Sequence, residues 1–142
     1  MPAAAPKYLL LAVSTFAIVA CSIKQDVRPV AAKPVDTLCV ETNRDVAQPG
    51  FEPALVRQIA ARSIAVQTVD RASREECATV MTYTANWRWD LALYLYYAEL
   101  IVTDDSGEIG RAVYDAKQGG LNFGKFGRTE DKIQSLVTQL FP

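Results

Sequence analysis

Met81-Thr82-Tyr83-Thr84-Ala85-Asn86-Trp87-Arg88-Trp89 alternates strictly along the chain. Met81, Tyr83, Ala85, Trp87 and Trp89 fall on one side, and Thr82, Thr84, Asn86 and Arg88 on the other. Period-two alternation in β-favouring residues marks a half-buried strand, here read over 78–89. Asp90 begins a turn, and 93–103 follows as a second strand, nearly continuous in apolar and aromatic residues. Asp104-Asp105-Ser106-Gly107 is a hairpin-turn sequence. Residues 108–116 then return as a third strand, with Ala112, Tyr114 and Ala116 opposite Arg111, Val113 and Asp115. Three strands joined by short turns set an antiparallel meander at the centre of the fold.

Upstream, 35–42 reads as a strand with Leu38 and Val40 on one face, and Gln48-Pro49-Gly50 as a turn. Phe51, Leu55 and Ile59 recur at helical spacing and predict an amphipathic helix over 51–62, with Pro53 tolerated in its first turn. Residues 64–69 alternate again and read as a strand. Downstream, a glycine-rich loop spans 118–127. Thr129 is then placed to cap a final helix, with Glu130 and Asp131 in the first turn where the helix dipole favours them. Ile133, Leu136, Val137 and Leu140 supply its apolar stripe. The order β-α-β-β-β-β-α predicts an α+β fold: a mostly antiparallel sheet of about five strands with two helices packed on one face.

The N-terminus has a different character. Lys7 is the one charged side chain before Cys21, and residues 8–20 are mostly apolar. That run is too short to span a bilayer and fits an export signal. It ends Ile18-Val19-Ala20-Cys21, which resembles the bacterial lipobox; the first of these positions is more often Leu than Ile. The resemblance implies cleavage before Cys21, diacylglycerol on its thiol and acylation of the new amine. Two or three chains then hold the protein on a membrane, since one chain binds only marginally. Ser22, where aspartate would signal inner-membrane retention, implies an outer-membrane address facing the periplasm. The division expected is therefore 1–20 signal, 21–34 lipidated tether with Pro29 and Pro34, and 35–142 a single domain.

Trp89-Asp90, the aromatic run 94–97, Gly110-Arg111-Ala112-Val113-Tyr114 and the final helix are similar to the small proteobacterial lipoproteins of the Sbal-type family, a domain of unknown function. That similarity implies the same α+β architecture and no known activity.

Composition excludes several classes of function. Removing residues 1–20 takes away one of 15 basic residues and none of 16 acidic ones, leaving a side-chain net of −2. A nucleic-acid binder normally shows a basic patch. The chain has no histidine, which removes the commonest general base and metal ligand. With Cys21 committed to lipid, Cys39 and Cys77 remain as an even pair in an oxidising compartment. A bridge between them is the expectation, and two buried free thiols the alternative. Gly119-Gly120-Leu121-Asn122-Phe123-Gly124-Lys125-Phe126 approaches a phosphate loop. However, Phe126 stands where the Mg²⁺-binding hydroxyl belongs, so a solvent loop is expected. Its Phe123 and Lys125 remain candidates for a contact. Asp90, beside Trp89, reads as a turn residue.

The aromatic set Tyr83, Trp87, Trp89, Tyr94, Tyr96, Tyr97 and Tyr114 is the strongest functional hint. Adjacent Tyr96 and Tyr97 point to opposite faces of a regular strand. The face away from the helices is then expected to carry Tyr97, Leu95 and Ile101, an apolar patch of the kind that marks interaction sites. The expectation is a non-catalytic protein-binding module that contacts another envelope protein, with no metal, cofactor or nucleotide. The alternative is a structural lipoprotein that dimerises through the aromatic face.

Overall fold

In a computed structural model of the chain, residues 22–30 and 34–142 are described. The expected signal segment 1–20, Cys21 and residues 31–33 of the expected tether lie outside the described residues. The elements run β1 (Lys24–Arg28), β2 (Thr37–Glu41), α1 (Phe51–Ala60), β3 (Ala65–Val69), β4 (Val80–Asp90), β5 (Ala92–Asp104), β6 (Gly107–Asp115) and α2 (Thr129–Leu140), with 3₁₀ turns at Arg71–Glu76 and Phe123–Phe126. The fold is α+β: one six-stranded mixed sheet in the order β1-β6-β5-β4-β2-β3, with both helices on one face.

The meander β4-β5-β6 is antiparallel throughout. The other half of the sheet departs from the expected pattern. β2 runs parallel to both β3 and β4. The cause is connection length: α1 carries the chain back from the end of β2 to the start of β3, and strands joined through a helix run the same way. The second departure is β1. Residues 24–28, expected in an extended tether, pair antiparallel with β6 from Lys24↔Asp115 to Arg28↔Arg111. Only Val27 of this strand is even partly buried. A polar edge strand carries no apolar alternation to read. A third departure is small. Thr129 is the first residue of α2, and the cap position is Arg128, without a side-chain cap bond.

The core lies between the sheet and the helices. Phe51, Leu55 and Ile59 of α1 and Ile133, Leu136, Val137 and Leu140 of α2 meet Met81, Tyr83, Ala85, Leu100, Val102, Ala112 and Tyr114 of the meander. Phe51 packs on Tyr83 and edge-on to Trp87, each with ring centroids 5.6 Å apart. Beyond β1 the chain stays on the domain: Val30 N–H donates to the Leu140 carbonyl at 2.9 Å. Val30 lies so close to β6 that a Cβ on Gly110 would meet its Cγ2 at 2.6 Å.

Cys39 and Cys77 are joined in a disulfide with their Cα atoms 6.2 Å apart. Cys39 points away from Leu38 and Val40, toward the 3₁₀ turn at Arg71–Glu76 that leads to Cys77. The bridge thus fixes β2 against the entry to β4. It closes a loop with a sequence separation of 38. The chain-entropy account gives such a link about 3–4 kcal/mol. Replacing both residues by alanine is expected to lower the unfolding free energy by that amount in urea titrations, and a loss below about 1 kcal/mol would contradict it.

Candidate functional site

The two faces of the sheet differ sharply. On the open face, cross-strand neighbours Glu99, Ile101, Arg111 and Val113 lie beside Tyr97 and Thr82. Arg111 is the hub: it donates to Glu99 Oε1 at 2.5 Å and to both oxygens of Glu108 at 2.8 and 3.0 Å. Arg28 of β1 also reaches Glu108. The hydrogen bond from Arg111 is the first cause holding the Glu108 carboxyl below its ordinary value, and the same bond pushes the Arg111 guanidinium up. Burial, then Glu99 and Asp115, push the Tyr97 phenol up, and the Lys117 ammonium sits 4.4 Å over its ring. This face is a ladder of paired charges with half-buried apolar side chains, Tyr97, Ile101 and Val113, set in it. It is not a continuous apolar patch.

Leu95 does not share that face. The register slips between Asn86↔Tyr97 and Trp87↔Leu95, leaving Tyr96 as an extra residue. A bulge of this kind reverses the alternation beyond it. Leu95 therefore turns to the helix side beside Trp87 and is fully buried. Trp87 itself is half-buried against Phe51, and its remaining edge lines a groove of about 250 Å³ between the starts of α1 and α2.

The exposed apolar residues collect elsewhere. Trp89, Leu91, Leu93, Leu121 and Phe123 are each between 50 and 85 % exposed, and they are the exposed large hydrophobics among the described residues. The first three form the tip of the β4–β5 hairpin, where Trp89 pairs with Leu93 and Asp90 with Ala92 around Leu91. Leu91 has a φ of 61°, the left-handed region, which costs a side chain with a Cβ about 1–2 kcal/mol. The other two lie in the glycine-rich loop.

Lys125 ties that loop to the tip. Its ammonium is 2.5 Å from Asp90 Oδ2, donates to the Gly120 carbonyl at 2.6 Å, and lies over the rings of Tyr94 and Phe126. The residue is only 5 % exposed. It is thus an internal strut, not the contact residue expected, and Asp90 is its partner. Phe126 packs on Tyr94 and Phe123 on Phe126. Gly124 N–H donates to Asn122 Oδ1 at 2.9 Å, and Lys132 of α2 donates to the Lys125 carbonyl at 2.5 Å. On its other side the loop lies against Ile23: positions 119 and 124 have its side chain 3.6 and 3.5 Å from where a Cβ would stand. Leu91, Leu93 and Leu121 were missed in sequence. The signal available was an unusually apolar turn, Trp89-Asp90-Leu91-Ala92-Leu93.

The largest hollow, about 610 Å³, is lined by Arg44, Arg74, Glu41 and Asp70 among others. Two ion pairs cross it, Arg44 with Asp70 and Arg74 with Glu41. Among the described residues no group of three or more potential metal-ligating side chains occurs, and no helix is long and apolar enough to cross a membrane.

No known family pattern matches the chain, and no curated protein matches it by sequence. Its fold does match solved structures. A PelC dodecamer from Paraburkholderia phytofirmans superposes with a TM-score of 0.57 at 11% identity, covering 84% of this chain and 95% of that one. A methionine-substituted variant of that dodecamer, in another crystal form, gives 0.56 at 12%, covering 84% and 94%. The likeness at this identity is one of fold.

Two outcomes follow from the loop and its surroundings. Lys125→Ala should cost about 1–2 kcal/mol, because it leaves the Gly120 carbonyl without its donor. Amide exchange over 119–127 should quicken in that variant while exchange in β5 does not. Burial lowers the Lys132 ammonium to about 8 from 10.5, and raises Tyr83 and Tyr114 to about 12 from 10.0, in Tyr83 with help from its bond to Glu52. From pH 8 upward the unfolded chain binds the lysine proton longer than the folded one, so stability rises. Above pH 10 the folded tyrosines keep protons that the unfolded ones lose, so stability falls. Urea unfolding across this range should therefore peak at about pH 10, and Lys132→Met should flatten the rising limb.

Proposed function

We propose that the chain is a non-catalytic envelope lipoprotein, anchored through acylated Cys21 to the outer membrane facing the periplasm, whose domain self-associates through the open face of its sheet. The anchoring part of this reading is supported by Ile18-Val19-Ala20-Cys21 with its preceding apolar run, and by Ser22. The Cys39–Cys77 disulfide suits an exported chain. The observation that carries self-association is that the fold matched over 84% of this chain is that of dodecamers.

The open face suits a second copy better than an apolar partner. Arg111, Arg28 and Lys117 alternate there with Glu99, Glu108 and Asp115. Two such faces can meet with opposite charges in register, and complementary charge fixes register and suppresses wrong pairings. Tyr97 and Ile101 supply apolar area between the charges. No reacting group is required of the domain: ion pairs cross its charged hollow, and the pair of buried Lys125 with Asp90 holds a loop in place.

Light scattering on the mature chain in detergent should give a protein mass at least twice that of one protomer, and Ile101→Lys should reduce it to the monomer without a large change in Tm. A monomeric wild type at tens of micromolar would overturn self-association. Co-purification of a different envelope protein in fixed ratio with a monomer would instead favour a hetero-partner. Separately, Cys21→Ser should abolish the mass increment of the acyl chains and release the protein from membranes.

A further inference from the structure

We infer that the β4–β5 tip and the 119–126 loop form a membrane-docking surface, inserted into the leaflet that holds the acyl chains of Cys21. The inference rests on the proposed acylation of Cys21 and says what that anchor does to the domain.

The argument starts from chain length. Cys21 precedes Ile23 by two residues, and an extended chain spans at most about 3.3–3.6 Å per residue. The anchored Cα therefore lies within about 7 Å of the Ile23 Cα. Ile23 is itself against Gly119 and Gly124, and Lys24 is already paired in the sheet. Residues 24–28 of the expected tether are instead paired in β1. Acyl chains on Cys21 must then enter the membrane beside the glycine-rich loop.

The same end of the molecule carries Trp89, Leu91, Leu93, Leu121 and Phe123. β1 begins at Lys24, β6 ends at Asp115, and β5 at that level is still at Tyr97. The hairpin therefore projects five further residues, 92–96, beyond the level of the β1 start. Lys125 locks loop and hairpin into one unit through Asp90. Two basic side chains accompany the unit: Lys24 and Arg88 are exposed, and Arg88 lies 4.1 Å over Tyr96. Apolar side chains at the tip with cations behind them match a leaflet of apolar tails under anionic headgroups. An exposed tryptophan beside lysine and arginine is also the composition of an interfacial anchor. The occupant is thus a lipid surface, held close by the covalent anchor, which makes even weak insertion effective.

The test uses the acylated mature chain, reconstituted into vesicles of phosphatidylethanolamine and phosphatidylglycerol whose acyl chains are brominated near the headgroup. The chain has two tryptophans, and Trp87 is packed on Phe51. Trp89 emission should shift to the blue and be quenched at least twofold. Trp89→Phe should remove the quenching, and Leu121→Ser with Phe123→Ser, both at exposed positions, should halve it or more at unchanged Tm. Protein that carries its acyl mass and floats with the vesicles but shows no quenching overturns the docking surface and leaves the anchor standing. Protein without the acyl mass overturns the anchor reading and this inference with it. Shielding of Trp89 from aqueous iodide before vesicles are added would assign the tip to contact between copies, and would overturn docking as well.

Discussion

Five residues of backbone, Lys24–Arg28, hydrogen-bond along β6 and hold the described N-terminal segment against the sheet. Without them β6 would be the edge of the sheet, with a row of unpaired donors and acceptors. With them, Arg28 reaches Glu108 and joins the ion ladder centred on Arg111. Val30 continues onto the end of α2, and Ile23 seats the glycine-rich loop. A segment that supplies almost nothing to the apolar core thus limits the distance between Cys21 and the domain. The ordering of a short polar strand is favourable here because β6 was already fixed by β5 and α2, so only one partner loses freedom.

The sheet divides its work by face. The helix side excludes water and carries the stability, through large buried side chains from every strand of the meander. The open side is kept soluble by pairing each half-buried charge with its opposite. Arg111 holds two carboxylates at once, a geometry that a lysine would not reproduce. Because these pairs are solvent-screened, they add little to the stability of the fold.

The core was legible where one physical signal dominated. Alternation in 81–89 located β4, the i, i+4, i+8 stripe located α1, and the even pair of cysteines left after Cys21 indicated the disulfide that joins Cys39 to Cys77. The misreadings share a cause: each turned on a tertiary partner. Leu95 changes face because a single bulge at Tyr96 shifts the register, and no local pattern announces which residue a strand will leave unpaired. Lys125 looks like a loop cation until Asp90, 35 residues away in sequence, is placed beside it. Residues 24–28 look like a tether because an edge strand does not need apolar side chains. The apolar set at the tip could have been suspected from Leu91 and Leu93 flanking a turn, since turns are ordinarily polar.

The two proposed surfaces constrain one another geometrically. The docking end lies at the end of the strands, whereas the open face runs along them. Copies that meet through faces parallel to the strands can be related by a rotation axis that also runs along the strands. Such an arrangement turns every hairpin tip and every N-terminus toward the same side, which is the condition for all acyl chains to enter one leaflet. A contact that inverted the strand direction between neighbours would place half of the anchors on the wrong side of the assembly. With Cys21 held within two residues of Ile23, no tether is available to correct that error. Under both proposals, the short leash favours a rotation axis along the strands over one across them. It does so by covalent geometry, before any interface energy is counted.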